Sequence, residues 1–165
     1  MNETTEDLVT PEDKLKLLFP DRPWETEPDE AEWVDTATGY KCVIKRNDST
    51  GTLSGYVGIP RGHSLYGMTY QGLEGMFTMR VHGGLTFSGN ITDGKDDYHY
   101  FGFDTAHAGD LCPKLAVVML SWRYTDSSGV WSYHKDNTYR TFEYVKFSVQ
   151  ELVSQLGYCD IKGKP

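Results

Sequence analysis

Apolar positions recur along this chain with two different periods. Over residues 141–156, Phe142, Val145, Val149, Leu152, Val153 and Leu156 fall at steps of three and four, which places them on one face of a helix. Gly157 follows as its expected stop. A shorter helix is predicted from Thr10, where a capping threonine precedes Pro11, Glu12 and Asp13, and it should end near Phe19 and Pro20. From Gly39 the pattern changes to short runs of Tyr, Val, Ile and Phe punctuated by Gly, Asn, Asp and Ser, the mark of strands joined by turns. Residues 40–45 and 53–59, separated by Asn47, Asp48, Ser49, Thr50 and Gly51, read as a hairpin. Further strands are expected at 77–81, 85–88, 98–103 and 116–122. Residues 21–32, with Pro23, Pro28 and six acids, carry too little apolar surface for a regular buried element and read as an extended connector pinned by Trp24 and Trp33. The fold class is therefore α+β: a mostly antiparallel sheet, one long C-terminal helix and one short N-terminal helix.

Charge divides the chain unevenly. Residues 1–35 hold twelve acidic and three basic side chains, and the rest holds twelve and thirteen, for a net charge of −8. The expected organisation is an acidic leader at 1–35, carrying the short helix, and one α+β domain at 36–165. The leader reads as a solvated arm or, alternatively, as a dock for a basic host protein. With no basic stripe, an extended nucleic-acid surface is not expected. No run approaches the roughly 20 apolar residues of a bilayer span, and residues 1–10 lack the features of a signal peptide, so a cytosolic protein with no membrane partner is expected. Cys42, Cys112 and Cys159 form no CxxC or CxxxC pair and read as reduced thiols. Cys112 is expected to be a buried thiol and not a nucleophile.

Three segments carry candidate chemistry. The first, Gly58 to His63, mixes permissive glycine, rigid Pro60, the donor fork of Arg61 and the imidazole of His63, a composition suited to an anionic ligand; a structural turn competes with that reading. The second sets His82 at a strand end beside Gly83 and Gly84, followed by Thr86, where an imidazole and backbone amides can serve acid–base or anion-binding roles. The third delivers Asp104, His107 and Asp110 within seven residues, either as a carboxylate-oriented imidazole or as donors for a divalent metal; turn-capping by the two carboxylates is the plainer alternative. No Walker motif, dinucleotide fingerprint, nucleophile elbow or EF-hand loop is present. The expected catalytic set is His82, Asp104, His107 and Asp110, with Arg61, Gly62, His63, Gly83, Gly84 and Thr86 holding a small-molecule ligand. His99 and His134 read as surface or satisfied histidines.

The segments 55–67 (GYVGIPRGHSLYG), 81–87 (VHGGLTF) and 101–110 (FGFDTAHAGD), with the late helix, resemble a family of small uncharacterised proteins from bacteriophages and bacteria. The resemblance spans residues 33–156. It implies a phage or prophage setting, in which small cytosolic proteins modify, bind or degrade nucleotides or counter host defences. Three functions follow as expectations: hydrolysis or transfer on a small phosphorylated or nucleotide-like ligand, sequestration of such a ligand without turnover, or inhibition of a host protein through the acidic arm.

Overall fold

The computed structural model describes residues 10–121 and 136–161. Five strands form one sheet: β1 (Glu30–Val34), β2 (Lys41–Arg46), β3 (Leu53–Ile59), β4 (Phe87–Gly89) and β5 (His99–Asp104). They lie in the order β1-β2-β3-β5-β4, and every neighbouring pair is antiparallel. The expected hairpin is β2–β3, with Lys41 opposite Gly58 and Arg46 opposite Leu53. Its turn is built by Asn47, whose side-chain oxygen accepts from the amides of Ser49 and Thr50, and by Gly51 at φ +75.

Four helices complete the described fold: α1 (Pro11–Leu18), α2 (Tyr70–Met76), α3 (Pro113–Ser121) and α4 (Phe142–Tyr158). The apolar stripe of α4 is buried, and Thr141 caps the helix by accepting from the amide of Tyr144. The stripe packs on the sheet at β3, where Gly55 permits close approach: a Cβ there would overlap Phe103 and Val149. Thr10 and Asp13 form a capping box on α1, which packs against α3 through Leu15, Leu111, Ala116 and Leu120. Trp24 joins that second cluster and Trp33 joins the main one, as their pinning role required.

Several expected elements are corrected. Residues 77–81 form no strand. Phe77 caps α2, and the side-chain amide of Gln155 on α4 stands in for a neighbouring strand, accepting from Arg80 N at 2.6 Å and donating to Arg80 O at 3.0 Å. In place of a strand at 116–122 the chain forms α3, because Leu115, Ala116, Met119 and Leu120 are good helix formers and Ala116 and Leu120 fall on one face; Trp122 lies outside the described residues. The strand expected at 85–88 starts only at Phe87, since the amide of Leu85 is taken by the Glu74 carboxylate. The connector at 21–32 contains a 3₁₀ turn at Pro23–Glu25 and the start of β1, whose outward Glu30 and Glu32 face Lys45 and Lys41. Residue 35 lies between two paired strands, β1 and β2. Finally, α4 runs past Gly157 to Tyr158, with Cys159 as its cap. His134 lies outside the described residues. Among those described, no helix is long and apolar enough to cross a membrane.

Candidate functional site

Three pieces of chain meet at the first turn of α4. Val81 to Gly84 closes a tight turn, with the Gly84 amide bonded to Val81 O and both glycines at positive φ, and this turn presents His82. The loop leaving β5 supplies Asp104, His107 and Asp110. It is anchored beside α4 by reciprocal backbone bonds, from Leu111 N to Thr138 O and from Thr138 N to Gly109 O. The helix itself contributes Tyr144, and Arg140 precedes its Thr141 cap.

Asp110 is the hub, with 1% of its surface exposed. One oxygen, Oδ2, lies 2.7 Å from His82 Nε2 and accepts from the His107 amide at 3.0 Å; the other, Oδ1, accepts from Arg140 Nε at 3.0 Å. Burial pushes this carboxyl toward the neutral form, but the bonds from His82, His107 and Arg140 more than offset it and hold the pKa below the usual carboxylate value. An ionised Asp110 can only accept, so His82 Nε2 carries a proton toward it, and the other ring nitrogen, Nδ1, lies 2.8 Å from the Tyr144 hydroxyl. The Tyr144 ring packs edge-on to the imidazole at 5.4 Å between centroids, and the Arg140 guanidinium sits 5.0 Å from its other neighbour, the Tyr144 ring centre. The carboxylate-oriented imidazole is therefore His82, and its carboxylate comes from a loop 28 residues away.

His107 is in the cluster with a different part. Its ring lies 5.8 Å from that of His82 and presses on Gly83, where a Cβ would overlap it. Its Nε2 is buried and makes no hydrogen bond; Asp104 Oδ1 is 3.1 Å distant but out of line, and accepts instead from Ala106 N. Cys112, just beyond, is buried, and both burial and the charges of Asp110 and Asp104 push its thiol pKa up, so it remains protonated. Among the described residues, no group of three or more His, Cys, Asp or Glu side chains is placed to hold a metal ion.

The expected ligand-holding residues separate into three places. Gly83 and Gly84 are at the cluster, although Gly84 has spent its amide on the turn. Thr86 is bonded through its amide to Gly102 O on β5, just ahead of β4. The segment Gly58 to His63 is elsewhere. His63 is 2% exposed, bonded to Leu156 O at 2.8 Å and accepting from Leu65 N at 3.0 Å. Leu156 stands twelve residues beyond Tyr144 on α4, about 18 Å along the axis. Arg61 is exposed and pairs with Asp97, and Gly62 has open space around it. This segment is a structural turn, not part of the His82 cluster.

Arg140 and Tyr144 carry no Gly- or His-based motif, and sequence reading passes over them. The available signal was their four-residue spacing across the Thr141 cap, which puts both at the helix start and off the apolar stripe. A hollow of about 520 Å³, lined among others by Leu15, Trp24, Lys114 and Val117, lies between α1 and α3, and none of its lining residues belongs to the His82 cluster. No family model, curated protein or solved structure matches the chain.

Proposed function

We propose that this protein is a small cytosolic hydrolase or transferase acting on a phosphorylated or nucleotide-like molecule, with Asp110 and His82 as its proton-transfer unit. The observation that carries this reading is the polarised His82: a buried, ionised carboxylate fixes one ring nitrogen, and the other faces an accessible tyrosine hydroxyl. A buried carboxylate holding an imidazole in one tautomer is the arrangement by which proteins move protons at neutral pH. Arg140 supports an anionic substrate, since its guanidinium borders both Asp110 and Tyr144. The motif resemblance to small phage proteins accords with a nucleotide-like substrate.

The test is turnover of a panel of nucleotides and phosphomonoesters, followed by phosphorus NMR and chromatography. His82→Asn, with its circular dichroism unchanged, should lower turnover about 10² to 10⁴-fold, the usual range for lost acid–base assistance. A bound nucleotide recovered intact after denaturation would replace catalysis with sequestration. Turnover unaffected by His82→Asn would remove His82 from the reaction.

A further inference from the structure

We propose that Tyr144 is a nucleophile activated by His82, so that Asp110, His82 and Tyr144 form a triad in which a phenol takes the place usually held by an aliphatic hydroxyl. This rests on the Asp110–His82 reading given above and adds the atom that meets the substrate. Both nitrogens of His82 are engaged, Nε2 with Asp110 at 2.7 Å and Nδ1 with the Tyr144 hydroxyl at 2.8 Å. A substrate therefore reaches the imidazole only by displacing one of them. Asp110 is sealed at 1% exposure, whereas Tyr144 is 36% exposed on the first turn of α4. The group offered to an incoming electrophile is the tyrosine oxygen.

The step is self-contained. Tyr144 Oη attacks phosphorus or an acyl carbon, its new bond forms as the bond to the leaving group breaks, and its proton passes to His82 Nδ1 and from there to the leaving group. Asp110 balances the transient imidazolium, as an orienting carboxylate does in hydrolytic triads. Arg140, stacked on the ring at 5.0 Å, faces the negative charge that develops on the phenol. Water then cleaves the tyrosyl ester in hydrolysis, or an acceptor hydroxyl does so in transfer.

An arylsulfonyl fluoride tests this without knowledge of the substrate, because the Tyr144 oxygen–sulfur bond forms as fluoride leaves and the phenolic proton is taken up by His82. Labelling of the intact protein is followed by peptide mass spectrometry, with Tyr158 as internal reference. Tyr158 is 76% exposed, so accessibility alone would label it ahead of Tyr144. The expected result is that Tyr144 reacts at least about tenfold faster than Tyr158, and that His82→Asn, folded by circular dichroism, slows Tyr144 by about tenfold or more. Labelling in the order of exposure, or a Tyr144 rate indifferent to His82→Asn, overturns the proposal. The two readings fail separately. His82-dependent labelling without turnover of the nucleotide panel leaves the nucleophile standing and removes the substrate class. Full turnover by Tyr144→Phe leaves the proton-transfer unit standing and removes the nucleophile.

Discussion

Asp110 keeps its charge in a place that excludes water because three donors converge on two oxygens. Its folded pKa lies below the ordinary carboxylate value, so its contribution to stability is present in full above the unfolded value, near pH ~4, and is lost as pH falls through the lower folded value. Urea unfolding of the wild type and of Asp110→Asn should therefore differ by about 3 kcal/mol at pH 7, with the gap narrowing at pH 3. A gap that stays constant across that range would mean that Asp110 acts through shape and not through charge. The same residue marks how far sequence could go. The loop 104–110 was legible as a place where polar chemistry gathers, but the pairing of Asp110 with His82 depends on a turn 28 residues earlier. His63 makes the opposite point. Glycine, proline, arginine and histidine gather there as suggestively as at His82, yet its ring is a buried strut between Leu156 O and Leu65 N. Composition cannot say which of two histidines faces a cluster and which a core.

At the scale of elements, the turn carrying His82 is held by what it lacks. Gly83 and Gly84 both sit at positive φ, but only at Gly83 would a Cβ strike the His107 ring; at Gly84 the nearest atom is a carboxylate oxygen at 3.6 Å. Both alanine variants incur the left-handed backbone penalty of about 1 kcal/mol, and Gly83→Ala should cost about 1 kcal/mol more, read as a lower melting temperature than Gly84→Ala. Equal melting temperatures would show that the His107 ring yields freely. Elements with a long period or clear boundary residues were the legible ones: α4 by its stripe, the β2–β3 hairpin by its turn and α1 by its cap. The failures share a cause. Short apolar runs such as those at 77–81 and 116–120 have the same texture in a strand and a helix, and tertiary partners decide between them. For Arg80 that partner is a glutamine side chain on α4. For α3 it is the face of α1.

At the scale of the whole molecule, Glu27 and Asp29 tie the described part of the acidic arm to β2 and to the start of α4. Arg46 on β2 bonds Asp29, lies 3.8 Å from Glu27 and reaches the Tyr139 hydroxyl; Glu27 in turn accepts from Tyr139 and from the amide of Phe142, at the start of α4. Removing residues 1–35 would take away β1, bare one side of β2 and uncover Leu111 and Ala116, so the truncated chain should unfold at a markedly lower urea concentration. An unchanged midpoint would mean that the arm is a detachable leader. The position of α4 in the chain also has a temporal meaning. Among the described residues the last strand ends at Asp104, while the helix that covers β3 and supplies Tyr144 ends at Tyr158, 54 residues later. At ribosomal speeds of roughly 5–20 residues per second, the nascent sheet stays bare for about 3 to 11 seconds. During that interval the His82–Tyr144 contact is not yet formed, and the apolar face of the sheet is open to chaperones that bind exposed hydrophobic surface.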